Sequence, residues 1–453
     1  MNEALRVATF VLDAEYGDLS AQAVRHVTDA VTDFVGVALA GRRQPLAAVL
    51  LGFPMAAGPA YCIGGPSGIS ADSAALFNGA VGHALDFDDT SHPAYSHPSA
   101  HLVPPILALA AGTPLSGREA IVAYAVGHQL EAKLAHSMNL EHYERGWHAT
   151  GTLGAVSSIA TVGRIQRLTA PELAASLAVG ASMASGLRVN FGSMTKPLHA
   201  GLAARSAVES VHLVRSGLSS AADGIAGRFG FLEVLGGPDA VGRWRSGGDL
   251  REPWELDSPI GLALKPYPSC GSTHCAIEAA SRMAGWIDGR PIRRIRVGAN
   301  RLWEQVLVFH APRSPLEAKF SMEYCVATAL LKGGVTLADF SERAVADLAV
   351  RDLIGRTVVE VDDRVRDNLE HGAIVAVDLA DGSHHEEIVE LAAGKPARWP
   401  TESELWTKFA SCTDGVLARG EAERLFGLLQ RLPVVENLQR ALMAESPSFV
   451  GLG

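Results

Sequence analysis

Histidines and aspartates are concentrated between residues 83 and 101, in the sequence HALDFDDTSHPAYSHPSAH. This segment holds four of the chain's 16 histidines and lies between two apolar helical stretches. Histidine exchanges protons most readily near neutral pH, so the composition predicts a pocket loop that supplies acid/base groups. Two alternatives stay open: a metal site built from His and Asp, and a loop whose Asp and Ser side chains cap helix ends.

Another histidine, His148, lies in GWHATGTLG (146–154), just before a helix expected to begin near Thr150 or Gly151. A helix N-terminus favours anions and lowers the pKa of a nearby histidine, which favours a neutral base at His148. The alternative is that this lone histidine has a structural role.

Lysine is rare in this chain, with seven lysines among its 39 basic residues, so the position of each is informative. Lys196 lies in GLRVNFGSMTKPLHAG (186–201), where Pro197 predicts the first position of the following helix. A cation at a helix N-terminus predicts a carboxylate-binding site. The alternative is a lysine that is merely exposed on a loop.

A second lysine, Lys265, lies in LKPYPSCGSTHCA (264–276), before a Pro-rich turn. Thr273 is expected to cap a helix whose first turn holds His274. The segment falls where a helical region gives way to a mixed one, and clefts between domains are common sites for small ligands. The alternative is an ordinary interdomain turn.

Helix N-termini, two lysines and several histidines together suit a small di- or tricarboxylate. Removing a proton from the carbon α to a carboxylate needs a positioned base and cationic stabilisation of an enolate-like transition state. Histidine supplies the first requirement, and lysine and helix dipoles supply the second. The sequence contains no GxGxxG, GxxxxGK[ST], HExxH or GxSxG motif, which disfavours nucleotide enzymes, zinc proteases and serine hydrolases.

The elements that must position these residues are helical over roughly the first 260 residues. Apolar side chains recur there at helical spacing and small residues are abundant, which predicts closely packed helices. The predicted helices span 20–40, 70–85, 102–111, 118–137, 152–166, 170–184 and 198–216.

After about residue 266 the pattern alternates, which predicts strands at 292–297, 357–361, 374–379 and 387–391. Helical patterns at 273–286, 318–332 and 341–347 lie among these strands, and the chain is helical again from 402 to 444. We therefore expect a mainly α protein. Its large all-helical domain would comprise 1–263 and 400–453, and a smaller α+β lid domain would comprise 264–399.

Composition narrows the functional classes further. The formal charge of −10 disfavours binding to nucleic acid or to an anionic membrane, and the apolar stretches are too interrupted to span a membrane. Five cysteines without a CxxC pair, and an N-terminus without a basic leader, predict a reduced, cytoplasmic protein.

The four segments together resemble the MmgE/PrpD family, whose members include 2-methylcitrate dehydratases, cis-aconitate decarboxylases and iminodisuccinate epimerases. The motifs are HALDFDDT…HPSA, GWHATGTLG, GSMTKPLHAG and KPYPSCGSTH, with FSMEYCVATALLKG as a fifth. The resemblance covers nearly the whole chain. It implies a large helical domain with a smaller lid domain, a homodimer, an active site between the domains, and no metal or organic cofactor.

The resemblance also implies roles for individual residues. His97 or His148 would transfer protons, and Asp86 would orient a histidine. Lys196 and Lys265 would bind the carboxylates of the substrate.

Three further residues fall on or near the site by the same resemblance. Thr90 and His274 would contribute to substrate binding. Tyr324 would be a hydroxyl donor or an acid, although a core aromatic on a buried helix is an equal alternative.

The outcome of the reaction stays open between loss of water, loss of CO2 and epimerisation. This chain has a shorter segment after Thr90 than the methylcitrate dehydratases. It has Cys270 where animal-type decarboxylases carry a histidine. A His/Asp metallohydrolase and a catalytically inactive carboxylate-binding protein are the alternatives from other classes.

Overall fold

Helices form most of the chain in the computed structural model, which describes residues 2–366 and 372–451. They are α1 Glu3–Asp13, α2 Ala21–Gly41, α3 Pro45–Leu51, α4 Ala71–His83, α5 Pro98–Ala110, α6 Gly117–Met138, α7 Glu141–Glu144, α8 Ala149–Ile165, α9 Ala170–Met183, α10 Thr195–Arg215, α11 Phe231–Gly236, α12 Ala240–Ser246, α13 His274–Ile287, α14 Pro315–Ala318, α15 Met322–Lys332, α16 Glu342–Val345, α17 Leu348–Gly355, α18 Glu402–Thr413, α19 Arg419–Gln430 and α20 Leu438–Glu445. The strands are β1 Ala57–Tyr61, β2 Ser67–Ile69, β3 Ile292–Ala299, β4 Thr357–Val361, β5 Ala373–Leu379 and β6 His384–Val389.

The chain folds into two compact units. The first comprises Met1–Val189, Thr195–Leu264 and Pro400–Gly453, and the second comprises Asn190–Met194 and Lys265–Trp399. The first contains α1 to α12 and α18 to α20, while the second contains α13 to α17 and a four-stranded sheet. The predicted fold class, mainly α with a smaller α+β part, is confirmed.

The centre of the first unit is a group of closely packed helices in which α10 contacts α4, α5 and α8. Small residues set the spacing between α4 and α10. A Cβ atom added at Gly79 would lie 2.9 Å from the Cα of Gly201, and one added at Gly201 would collide with the backbone of α4. Since real Cβ atoms do not approach so closely, glycine is required at this crossing.

The first unit is not purely helical, which corrects the expectation of an all-helical domain. Strands β1 and β2 form a short antiparallel pair in which Tyr61 lies opposite Ser67. The turn between them contains Gly64, whose positive φ of 57° suits glycine. The pair is too short to give a clear alternating pattern in the sequence.

The sheet of the second unit has the strand order β4-β3-β5-β6. Strand β3 pairs in parallel with β4 and antiparallel with β5, and β5 pairs antiparallel with β6. Asp381 and Gly382 lie in the turn between β5 and β6, where Gly382 has a φ of 88° that suits glycine in a hairpin turn. Helix α13 packs against β5 and β6.

Two helix starts that matter for the site differ from expectation. Helix α10 begins at Thr195, so Lys196 lies inside its first turn, with Pro197 as the third helical residue. Proline is tolerated there because the first N–H groups of a helix have no intrahelical partner. Thr273 does not cap α13: its hydroxyl donates to the carbonyl of Cys270 at 2.7 Å.

Among the described residues, no single helix is long and apolar enough to cross a membrane. Helices α2 and α3 meet that criterion only when taken together, and they are bent by 82° at the break between them. Most of α2 is buried within the protein, as expected for a core helix.

Candidate active site

An ion pair between Asp86 and Lys196 lies at the centre of the candidate site. Asp86 follows α4 in a turn with a positive φ of 51°, and Lys196 is the second residue of α10. The Nζ atom of Lys196 lies 2.5 Å from Oδ1 of Asp86, and both side chains are buried. The pair holds the ammonium of Lys196 at the N-terminus of α10. The ammonium and the positive end of the helix dipole both favour an incoming carboxylate. Oδ1 of Asp86 therefore lies closer to Nζ of Lys196 than to Nε2 of His97, which is 3.8 Å away.

His97 comes immediately before α5, and its backbone contacts determine how its ring is protonated. Its Nδ1 lies 2.8 Å from the backbone oxygen of Asp89. A carbonyl oxygen only accepts, so Nδ1 carries the hydrogen and Nε2 of the neutral ring carries a lone pair. Nε2 lies 3.8 Å from Oδ1 of Asp86, and Nδ1 lies 3.6 Å from Oδ2 of Asp88. Both carboxylates would stabilise the imidazolium that forms when Nε2 takes up a proton.

A second imidazole, His83 at the end of α4, is oriented by a carboxylate. Its Nδ1 lies 2.9 Å from both oxygens of Asp88, with both side chains fully buried. The ring centre of His83 lies 4.2 Å from that of His97 and 6.1 Å from that of His148. An aspartate that holds an imidazole in one orientation is the arrangement found in many acid/base sites.

His148 precedes α8 and is paired with His199 of α10. The two Nδ1 atoms are 3.0 Å apart, and both rings are buried. Burial, together with the charge of Lys196, holds the pKa of His148 well below its ordinary value. The same two causes lower the pKa of His199 to about 4. Both imidazoles are therefore neutral at physiological pH, as the helix N-terminus predicts for His148.

The Asp89 carboxylate anchors the loop to α5. It accepts hydrogen bonds from the hydroxyl of Ser99 at 2.5 Å, the backbone N–H of Ser99 at 3.0 Å and the hydroxyl of Tyr124 at 3.2 Å. Burial raises the pKa of Asp89 to about 7, although the bonds from Ser99 oppose that shift. Since the backbone oxygen of Asp89 also accepts from His97, this anchoring fixes the ring of His97.

A half-buried lysine from α18 also contacts this loop. Nζ of Lys408 lies 2.6 Å from Oδ1 of Asp33, donates to the backbone oxygen of Phe87 at 2.7 Å, and lies 4.0 Å from the centre of the Phe87 ring. Phe87 lies between Asp86 and Asp88. The C-terminal helices therefore position the loop through Lys408.

Thr90 is held through its backbone. Its N–H and C=O groups exchange two hydrogen bonds of 2.8 Å with Ala263. The hydroxyl of Thr150, in the first turn of α8, accepts from the backbone N–H of His97 at 3.2 Å. This bond joins the loop to the segment that carries His148.

The remaining predicted residues lie in the second unit. Lys265 and His274 are buried, and Nε2 of His274 lies 3.1 Å from the backbone oxygen of Ser269, so Nε2 carries the hydrogen. Tyr324 is fully buried on α15 and donates its hydroxyl hydrogen to the backbone oxygen of Asp339. The hydroxyl of Tyr324 is thus used in the core of its own unit, which favours the structural alternative for this residue.

Lys319 supports the turn that carries Lys265 and His274. It is buried, donates to the backbone oxygen of Pro268 at 2.7 Å, and lies 4.1 Å from the ring centre of Phe340. Its own backbone oxygen accepts from the N–H of Cys270 at 3.0 Å.

His83, Asp88 and His97 form a group whose potential metal-ligand atoms all lie within 4.8 Å of one another. The hydrogen bonds disfavour a metal ion bound through the two Nδ1 atoms. Nδ1 of His83 donates to Asp88, and Nδ1 of His97 donates to a backbone oxygen. A metal ion bound at these nitrogens would have to displace both hydrogens.

Sequence reasoning singled out the segments that contain His83, Asp88 and His199, but it did not select these three residues. The spacing of His199 was an available signal: it lies three residues after Lys196, so the two share one face of α10. Lys408 was also detectable, as one of only seven lysines. Its contacts with Asp33 and Phe87 span more than 300 residues of sequence, and no local pattern shows them.

Comparison with known proteins identifies the family. The model of the MmgE/PrpD N-terminal domain matches residues 5–243, and that of the MmgE/PrpD C-terminal domain matches residues 267–432. The chain is 28% identical to human cis-aconitate decarboxylase over 399 residues, which cover 83% of this chain and 80% of that protein.

Two further relatives carry related names. A cis-aconitate decarboxylase-like protein of Aspergillus oryzae is 25% identical over 449 residues, covering 90% of this chain and 91% of the relative. The 2-methylcitrate dehydratase of Cupriavidus necator is 27% identical over 367 residues, covering 72% of this chain and 71% of the relative. Both family models match, and together they cover most of the sequence. The chain therefore belongs to the MmgE/PrpD family of enzymes, as its motifs predict.

Proposed function

We propose that the protein is a lyase that moves a proton at a carbon next to a carboxylate of a small di- or tricarboxylate, without a metal or organic cofactor. The observation that carries this proposal is the arrangement of Lys196, Asp86 and His97 in the first unit. A buried ammonium at a helix N-terminus and an imidazole with its lone pair on Nε2 both approach Oδ1 of one carboxylate, at 2.5 and 3.8 Å.

In the proposed reaction, His97 acts as the base. Its neutral Nε2 takes the α-proton, and the resulting imidazolium is stabilised by Asp86 and Asp88, at 3.8 and 3.6 Å. The electron pair left on carbon is delocalised into the adjacent carboxylate, which the ammonium of Lys196 stabilises. His148, neutral and close by, is the second candidate for proton transfer.

Dehydration and decarboxylation share this charge distribution. In a dehydration the imidazole removes the α-proton, and the hydroxide that departs from the neighbouring carbon takes up a proton, giving an alkene and water. In a decarboxylation the C–C bond to CO2 breaks, and an imidazole that starts in the protonated form donates its proton to the carbanion. The named activities of the relatives, decarboxylase and dehydratase, support a lyase and do not decide between these outcomes.

The test is incubation in D2O with cis-aconitate, 2-methylcitrate, citrate and iminodisuccinate, each followed by proton NMR. We expect one of these acids to lose a C–H signal or to give a deuterated product. Water loss, CO2 loss and epimerisation give different products. If wild-type protein changes none of the four acids, calorimetric titration with the same acids is the next measurement, and absence of binding there would overturn the proposal.

Lys196→Ala tests whether the observed activity belongs to this site. We expect a loss of about 10²-fold or more, because the cationic stabilisation of the transition state is removed. Lys133→Ala is the matched control, since Lys133 lies in the same unit and makes one long hydrogen bond, 3.4 Å, to the backbone of Glu252. Equal activity in the two variants would contradict the assigned site.

The second candidate function is a metal-dependent hydrolase, which the group His83, Asp88 and His97 favours. It predicts stoichiometric metal in the purified protein and loss of activity after exhaustive chelation. The cofactor-free lyase predicts unchanged activity after the same treatment.

A further inference from the structure

His148 and His199 meet through the same ring atom, which restricts how both are protonated. Their Nδ1 atoms are 3.0 Å apart, a hydrogen-bonding distance. Both rings are neutral because burial and Lys196 lower both pKa values. Two neutral imidazoles can form this bond only if one Nδ1 carries a hydrogen and the other a lone pair. The tautomer of each ring is therefore tied to that of the other.

The side chain of His199 lies close to the backbone of two glycines. His199 lies three residues after Lys196 on α10, so it faces the site from the helix that supplies the ammonium. Gly186, with a φ of 134°, lies so close that a Cβ atom there would be 3.3 Å from Cγ and Nδ1 of His199. A Cβ atom at Gly151 would be 3.3 Å from Cβ of His199.

The proton-transfer role proposed above for His148 selects one of the two arrangements. The charge of Lys196 lowers the pKa of both rings, so it does not decide which Nδ1 carries the hydrogen. A neutral imidazole that takes up a proton at Nε2 needs its lone pair there and its hydrogen on Nδ1. The proposed role therefore requires a hydrogen on Nδ1 of His148, donated to His199.

We propose that His199 is a positioning residue that holds His148 in the Nδ1–H tautomer, so that Nε2 of His148 presents a lone pair for proton transfer. The inference rests on the proposed function for the choice of tautomer and its catalytic consequence, and on the geometry of the pair for the link between the two rings. Neutral imidazole side chains in water prefer the hydrogen on Nε2, so His148 needs an acceptor at Nδ1 to be held in the other form.

The decisive measurement is the tautomeric state of His148 by long-range proton–nitrogen NMR on protein with 15N-labelled histidine. Signals are assigned by their absence in His148→Gln and in His199→Asn. We expect wild-type His148 with its hydrogen on Nδ1 and His199 with its hydrogen on Nε2. In His199→Leu, which offers no acceptor, we expect His148 to change to the Nε2–H form, whereas the amide oxygen of His199→Asn preserves the wild-type form.

Kinetics give the second readout, with the acid that the wild-type enzyme converts. We expect kcat to fall by about 10²-fold in His199→Leu with KM within about twofold, and to fall by less than about tenfold in His199→Asn. Thermal unfolding of both variants checks that the fold is intact.

Wild-type His148 in the Nε2–H form, or an unchanged tautomer in His199→Leu, would overturn the inference. The NMR measurement needs no substrate. Failure of the proposed function would therefore appear as absent turnover with the tautomers as expected, which is distinct from failure of this inference.

Discussion

At the scale of single residues, the candidate site combines one buried ion pair with buried neutral imidazoles. Lys196 and Asp86 form an ion pair, while His148 and His199 stay neutral beside them. An isolated charge in this environment would be strongly unfavourable. We therefore expect that removing one charge of the pair destabilises the protein more than removing both.

The pair gives a prediction for unfolding. Lys196→Met should lower the free energy of unfolding by roughly 3 kcal/mol, because it leaves the Asp86 carboxylate buried without its cation. Asp86→Asn with Lys196→Met should be more stable than the sum of the single effects predicts. Asparagine at position 86 tolerates the left-handed backbone that aspartate adopts there. Urea unfolding at pH 7 of Lys196→Met, Asp86→Asn and the double variant measures these effects, with Lys133→Met as the control. Strictly additive effects would contradict the prediction.

At the scale of elements, the crossing of α4 and α10 determines where the side chains of the candidate site meet. Helix α4 ends at His83 and leads into Asp86, and α10 carries Lys196 and His199. The glycines at the crossing let the two backbones touch, as small residues at a close helix–helix contact do. Any increase in the spacing between the helices would also lengthen the distance between the groups of the site.

Gly201→Ala tests this spacing. The added methyl group collides with the backbone of α4, so we expect a loss of roughly 1–3 kcal/mol in unfolding free energy and reduced turnover. Gly242→Ala is the matched control: it lies within α12, and a Cβ atom there meets nothing within 4 Å. Alanine at that position should be neutral or stabilising by up to about 1 kcal/mol. Thermal unfolding and the D2O assay compare the two variants. Equal stability and equal turnover of Gly201→Ala and Gly242→Ala would show that the crossing tolerates a wider spacing.

At the scale of the whole molecule, buried acids and buried histidines make the stability of the fold depend on pH in opposite directions. The pKa of Asp89 is raised to about 7 by burial, so the folded state binds a proton that the unfolded state does not bind between about pH 4 and 7. This group stabilises the fold increasingly as pH falls through that range. The pKa of His142 is lowered to about 4 by burial, so the unfolded state binds the extra proton between about pH 4 and 6.5. That group destabilises the fold as pH falls.

These signs predict that two variants change the pH dependence in opposite directions. On going from pH 7 to pH 5, Asp89→Asn should lose roughly 2 kcal/mol of stability relative to wild type, because its acid-side stabilisation is missing. His142→Asn should gain roughly 2 kcal/mol relative to wild type over the same interval. Urea unfolding at both pH values gives the differences. If stability relative to wild type changed in the same direction in both variants, the opposite pKa shifts assigned to Asp89 and His142 would be contradicted.

Much of this architecture could be predicted from periodicity. The cores of α2, α4, α6, α8 and α9 lie where apolar spacing predicts helices, because a helix with one buried face must repeat its apolar residues. The start of α10 and the β1–β2 pair were missed, since a helix can begin before a proline and a three-residue strand has no measurable period. The predicted homodimer and the roles of the individual site residues stay predictions.

Motif spacing and apolar periodicity are local properties, so the family, the fold class and the segments that carry acid/base side chains could be predicted from the sequence. The partners of those side chains are visible only in the tertiary structure. It joined Asp86 to Lys196 across 110 residues, assigned Asp88 to His83 and the Asp89 backbone to His97, and placed His199 against His148. These contacts depend on helix crossings and on backbone groups that every residue type carries. For that reason, the residue types alone do not show which atoms of the site carry hydrogens.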